Sequence, residues 1–339
     1  MSVIDLKDIY QPISGQIKEV ERLIASALNK TRNETILEIN HYLLASGGKR
    51  IRPALVILSA KAALGKESSE LEDKLVKIAS GLELIHIASL IHDDIIDKAS
   101  LRHNRSTVNC KWGEGVAIAL GDYVYSAAFE LISQCGSTDI VNCISSAAKA
   151  MCEGELTQVK NRDDFESSKD QYLITVKNKT AALFAASCQA GGLLFSKDKV
   201  YVGALRDFGL NFGIAFQIID DYLDIMGTEQ DVGKTIGQDI KVGELTLPVI
   251  QLWENSSQKE KLELKDLLLS LSKESSNGKF LDKIREKIAT SGAASKTKET
   301  VASFTSLAKD RIGVLPSSAY KRSLLNLADF IYQRGFNRG

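Results

Sequence analysis

The chain has 339 residues, 44% of them hydrophobic, enough for a sizeable core, and helical enzymes of this length can form one domain, expected here over 1–339. Lysine plus arginine equals aspartate plus glutamate at 43 each, so no global field favours nucleic acid or an anionic membrane as a partner. The five cysteines are odd in number and hold no CxxC pair, which argues against a disulfide framework or a zinc site and for a cytoplasmic setting.

At the N-terminus MSVIDLKDIY lacks a basic region followed by an apolar core, so no secretory signal is expected. No uninterrupted apolar run reaches the roughly 18 residues of a membrane span, and no transmembrane segment is expected. With four prolines in all (Pro12, Pro53, Pro248, Pro316), long helices can run unbroken. Residues 3–31 read as an amphipathic helix, with Ile13, Ile17, Val20, Leu23, Ile24 and Leu28 spaced by three and four. A second helix over 34–46 stops at Gly47-Gly48, a good C-terminal signal. GGKRIRP (47–53) then places Lys49, Arg50 and Arg52 at a helix–helix junction, where backbone N–H groups and basic side chains can meet an anion. A solvated basic turn explains that stretch equally well in isolation.

The stretch from Gly81 to Asn109 begins as an apolar helix and ends in Asp93, Asp94 and Asp97, with Arg102 and Arg105 just beyond. Asp93 and Asp97, four apart, project from one helical face. Carboxylates that close repel one another unless a hard cation neutralises them, and Mg2+ is usually held by one or two carboxylates plus substrate phosphates. One such trio is an ordinary acidic helix end. The pattern recurs in FQIIDDYLDIMG, where Asp220, Asp221 and Asp224 repeat the spacing, and two trios suggest two metal-binding walls.

Between and after the trios, 113–133, 139–160, 169–195 and 200–226 read as helices, the third carrying Lys177, Lys179 and Thr180 part-way along. Residues 227–246 break the pattern and read as a lid-like loop. TLPVIQLWE restarts a helix, Ser257 and Glu260 form a capping-box pattern, and helices over 280–290, 296–312 and 317–334 finish the chain. There is no convincing set of alternating strands, no GxGxxG and no P-loop. The expected fold is all-α: a single large helical bundle with a central active-site cavity.

These motifs, in this order, resemble the trans-isoprenyl diphosphate synthases, the polyprenyl synthetase family, of long-chain type. The resemblance implies that Lys49, Arg52 and His86 grip the diphosphate of isopentenyl diphosphate. It makes Asp93, Asp94, Asp97, Asp220, Asp221 and Asp224 catalytic, with Asp93, Asp97 and Asp220 as metal ligands. Arg102, Lys179, Thr180, Gln217 and Lys234 then surround the allylic diphosphate, Lys179 and Lys234 also counting as catalytic. Mg2+ is the implied cofactor, about three ions per active site, and a homodimer the implied assembly. The sequence departs from the family pattern twice. His103 stands where an arginine on isopentenyl diphosphate is usual, and Glu244 where a lysine often precedes TLP. Both changes remove positive charge near phosphates and are expected to weaken substrate affinity.

Ala88 and Ser89, five and four positions before Asp93, are small where short-chain members commonly carry aromatic residues. That implies an open tunnel and a hexaprenyl to decaprenyl product rather than a farnesyl or geranylgeranyl one. Two other readings remain at this stage. A class I terpene cyclase also uses aspartate-rich metal sites, but has no isopentenyl diphosphate for GGKRIRP to hold. A weakly active subunit of a heteromeric synthase would account for His103 and Glu244, although such subunits usually lose aspartates and both trios are kept here.

Overall fold

The computed structural model describes residues 5–45, 47–63, 69–102, 104–228, 236–273 and 279–336. Among these the secondary structure is almost entirely helical, as expected from the 3.6-residue periodicity. The helix expected over 3–31 is broken. α1 (Leu6–Tyr10) passes through a 3-10 turn at Gln11–Ile13 into α2 (Ser14–Leu28), because Pro12 fixes its backbone and has no N–H to continue the ladder. α3 (Glu34–Leu44) is capped by the Asn33 side chain, which accepts the Ile36 N–H. It gives way at Gly47, where φ is 65°. Then follow α4 (Ile51–Ala62), α5 (Ser69–Ile96), α6 (Val108–Trp112), α7 (Glu114–Ser133), α8 (Thr138–Lys160), α9 (Lys169–Val176), α10 (Ala182–Phe195) and α11 (Lys199–Met226). α12 (Gln238–Lys241), α13 (Leu247–Asn255), α14 (Gln258–Lys273), α15 (Lys279–Thr290), α16 (Ala293–Arg311) and α17 (Ala319–Phe336) complete the chain.

Three details differ from the periodicity. Strands β1 (Leu101–Arg102) and β2 (Arg105–Ser106) form an antiparallel pair, too short for alternation to register. The helix expected over 169–195 contains a wider π turn at Lys177–Ala181, a distortion that recurs at functional sites. The stretch expected as an open loop contains α12. The capping box at Ser257 and Glu260 forms as expected.

Contacts gather into two compact units. The first comprises Met1–Ala148, Leu183–Gly209 and Lys309–Leu327. Its centre is α4, whose side chains are buried nearly all round, as suits a helix apolar on every face. Beside it α5 and α7 pack very closely. A Cβ on Gly81 would lie 2.5 Å from the Ile132 side chain, and one on Gly121 2.2 Å from the His92 ring, so a side chain at either crossing would force its neighbour to shift. α5 and α7 are each long and apolar enough to cross a membrane by length and composition alone. In α5, 61% of the most apolar window is buried in the fold, which accounts for that apolarity; for α7 the share is 39%.

The second unit comprises Lys149–Ala182, Leu210–Ala308 and Ala328–Gly339. Its core joins Ile225, Val249, Leu252, Leu264, Leu268, Ile284 and Ile288. Arg285 closes the C-terminus of α11, donating to the carbonyls of Ile225 at 2.5 Å and Gly227 at 2.7 Å. This fixes the helix end that carries the second trio.

Candidate active site

In the first unit the turn before α4 exposes Lys49, whose carbonyl accepts the Tyr10 hydroxyl at 2.9 Å. Arg52, in the first turn of α4, lies with its guanidinium 4.3 Å from the centre of the Phe184 ring. On α5, His86 faces this basic group: burial, with the charges of Arg52, Arg102 and Arg50, pushes its imidazole well below the ordinary value of 6.5. His86 is therefore neutral at pH 7. A base with a depressed folded value is protonated first in the unfolded chain, so its contribution to stability is full above about pH 6.5 and falls as the pH drops below it. Urea unfolding should show stability decreasing from pH 7.5 to 5.5, and His86→Gln should remove part of that decrease. An unchanged pH dependence in the variant would show that burial and the arginines do not hold this imidazole neutral.

About two helical turns further on, the first trio divides. Asp94 is buried, and its carboxylate accepts both Nε and Nη2 of Arg102 at 2.8 Å, while its carbonyl accepts Asn109 Nδ2 at 3.3 Å. Asp93 and Asp97 remain partly exposed. Lys98, at φ 51°, ends the helix immediately afterwards. Ala88 is fully buried; Ser89 is partly buried, and its hydroxyl donates back to the His86 carbonyl at 2.9 Å.

In the second unit the other trio also divides, but only Asp220 stays partly exposed. Asp221 and Asp224 are buried. Asp221 accepts the Tyr172 hydroxyl at 2.5 Å and Gln217 Nε2 at 2.7 Å, and Gln217 in turn accepts the Thr180 hydroxyl at 2.7 Å. Burial pushes the Asp221 carboxyl up to about 7 against the pull of these two hydrogen bonds, with Asp220 and Glu244 adding to the rise. Asp224 accepts the Asp239 N–H at 3.1 Å and holds the start of α12. Asp220 is more exposed and pairs with Arg334 at 2.9 Å. Lys179, on the π turn, pairs with Glu155 at 2.6 Å. The two meet because Gly154 lets α8 approach: a Cβ there would sit 2.3 Å from the Lys179 nitrogen.

Glu244 pairs with Arg162 at 3.1 Å and accepts Gln158, both near the C-terminal end of α8. The charge that looked anomalous in sequence thus has a cationic partner. Glu244→Lys would set two cations side by side and lose that pair, lowering the unfolding midpoint by several degrees, equivalent to about 2 kcal/mol. Combining it with Arg162→Glu should recover most of the loss. A midpoint unchanged in the single variant would contradict the pairing.

His103 and Lys234 lie outside the described residues. Sequence reasoning missed Tyr172, Glu155, Arg162, Arg285 and Arg334. No local motif announces them, since each meets its partner across tens of residues. The donor chemistry suits a hard cation: Asp93, Asp97 and Asp220 offer partly exposed carboxylates, Asp220 beside Arg334, while their trio neighbours are buried. Among the described residues no three His, Cys, Asp or Glu side chains converge into a ready-made cage. Mg2+ seldom needs one, because it keeps several waters and takes substrate phosphates as ligands.

The model of one family, described as polyprenyl synthetase, matches residues 33–287. A short chain isoprenyl diphosphate synthase of Methanothermobacter thermautotrophicus is 32% identical, the match covering 98% of this chain and 99% of that protein. An octaprenyl diphosphate synthase of Haemophilus influenzae is 31% identical over 99% of this chain and 98% of its own length. Among solved structures, a polyprenyl synthase from Caulobacter crescentus complexed with calcium and isoprenyl diphosphate superposes with a TM-score of 0.91 at 30% identity, covering 99% of both chains.

Proposed function

This chain belongs to the polyprenyl synthetase family and is a prenyltransferase, and from that premise we propose that it condenses isopentenyl diphosphate with an allylic prenyl diphosphate to an all-trans product of hexaprenyl to decaprenyl length. The observation that carries this reading is that each aspartate trio combines buried members with partly exposed carboxylates, Asp93 and Asp97 in one and Asp220, beside Arg334, in the other. Asp93, Asp97 and Asp220 are the proposed metal ligands. Asp94, Asp221 and Asp224 hold the surrounding structure.

Bound Mg2+ would supply Lewis-acid neutralisation of the departing diphosphate. Lys49, Arg52 and neutral His86 hold isopentenyl diphosphate, the lysine and arginine as charged donors and the imidazole as a hydrogen-bonding group. Arg102, Lys179, Thr180, Gln217 and Lys234 serve the allylic diphosphate. Its carbon–oxygen bond breaks, the double bond of isopentenyl diphosphate attacks the allylic carbon, and a proton then leaves. No protein nucleophile is required. Apolar walls keep water from the cation, and Ala88 and Ser89 leave room for the growing tail.

The relatives' names span both product classes, so length rests on the small residues before Asp93. We place the chain in the cytoplasm as a homodimer. None of its five cysteines forms a disulfide, and α7 presents Ile118 at 49% exposure beside an apolar hollow lined by Ile36, Ile39, Val116 and Ala119. Labelled isopentenyl diphosphate should enter a longer diphosphate only when an allylic diphosphate and divalent metal are both present. Conversion of allylic diphosphate to hydrocarbon without isopentenyl diphosphate would instead identify a cyclase and overturn the proposal.

A further inference from the structure

Arg50 stands between the two basic residues proposed to grip isopentenyl diphosphate, yet its own side chain is turned elsewhere. Its backbone lies in the left-handed region, φ 51° and ψ 36°, which residues with a Cβ rarely adopt without support. The support is visible. The guanidinium, about one-tenth exposed, places Nη1 3.1 Å from Oε1 of Glu83, which is buried on α5, and Nε 3.5 Å from Oε1 of Glu21 on α2. Gly48 makes this fold-back possible, since a Cβ there would lie 2.7 Å from Arg50 Nη1. From α1 the Tyr10 hydroxyl pins the adjoining Lys49 carbonyl at 2.9 Å. The Arg50 carbonyl, accepting the Ala54 N–H at 3.0 Å, starts α4.

Glu83 and His86 are three apart on α5 and so lie on one face of the helix. The Arg50–Glu83 pair therefore ties the turn bearing Lys49 and Arg52 to the stretch of α5 bearing His86. We propose that Arg50 is a positioning residue: its clamp on Glu83 and Glu21 holds the left-handed turn that sets Lys49 and Arg52 against His86, and the guanidinium itself does not grip substrate. A phosphate-binding role would require it to leave its buried, hydrogen-bonded partner Glu83, with Glu21 a longer ion pair beside it. The ligand's identity rests on the proposed function; the clamp does not.

The test combines steady-state kinetics, calorimetric binding of isopentenyl diphosphate and thermal unfolding for Arg50→Ala, Arg50→Lys and Glu83→Gln. Arg50→Ala and Glu83→Gln should each weaken isopentenyl diphosphate, in KM and in Kd, by about tenfold or more, with KM for the allylic diphosphate within about twofold, because a small misplacement of gripping groups is costly. Arg50→Lys should fall between these variants and the unaltered protein. Glu83→Gln changes charge but hardly shape, so it remains informative where Arg50→Ala fails to fold. Three results would overturn the proposal: no change in isopentenyl diphosphate binding, an equal loss for both substrates, or a loss in Arg50→Ala absent from Glu83→Gln. The last would make Arg50 a direct ligand. An unaltered protein that binds isopentenyl diphosphate but condenses nothing would sink the proposed activity, while calorimetry still decides the clamp.

Discussion

Asp93→Ala and Asp220→Ala are each expected to lower turnover by about 10³-fold or more, equivalent to at least ~4 kcal/mol of transition-state stabilisation. The effect is large because ionising an allylic diphosphate puts full charge on the departing group, and these carboxylates are the proposed holders of the metal that neutralises it. The fold should survive, since Asp93 is partly exposed at the end of α5, and Asp220 is partly exposed beside Arg334. Asp94→Ala should behave differently. It strips a buried acceptor of both Arg102 nitrogens and should cost stability as well as activity. Turnover and unfolding midpoint measured together separate the two kinds of aspartate. Near-normal condensation by Asp93→Ala or Asp220→Ala would remove that residue from the metal site.

The second large effect concerns product length. On an α-helix, Ser89 and Ala88 lie about 6 and 7.5 Å before Asp93, close to the length of one or two isoprene units. A side chain added there would meet the tail early. Ser89→Phe and Ala88→Phe should both shift the product to farnesyl or geranylgeranyl length. Because Ala88 is fully buried, its phenylalanine variant should also lose some stability through overpacking. Ser89, partly buried with its hydroxyl folded back on the helix, is the cleaner site. Chromatography of dephosphorylated products reads the result. An unaltered chain-length distribution in both variants would place the tunnel elsewhere.

The aspartate trios were legible because their chemistry is local: residues one and four apart at the end of an apolar helix need no tertiary information. The division within each trio was not, since Asp220 and Asp224 repeat the spacing of Asp93 and Asp97 and yet Asp224 is buried. The helices were legible wherever periodicity was strong, and Pro12 overrode it within 3–31. What stayed hidden depends on pairing at a distance. Tyr172 reaches Asp221 across 49 residues, Arg162 reaches Glu244 across 82, and Arg334 reaches Asp220 across 114. Glu244 is the instructive case. Set against a family pattern it was a lost positive charge; in the fold it is half of an ion pair whose other half lies in the turn just beyond α8. Arg50 was equally opaque, because a left-handed backbone at an arginine has no sequence signature.

The most direct test of the account is the purified chain alone, given Mg2+, labelled isopentenyl diphosphate and farnesyl diphosphate, with its products sized. The account predicts metal-dependent elongation that stops between hexaprenyl and decaprenyl diphosphate and is abolished by chelation. No product from the chain alone, or a product that ends at geranylgeranyl diphosphate, would contradict it.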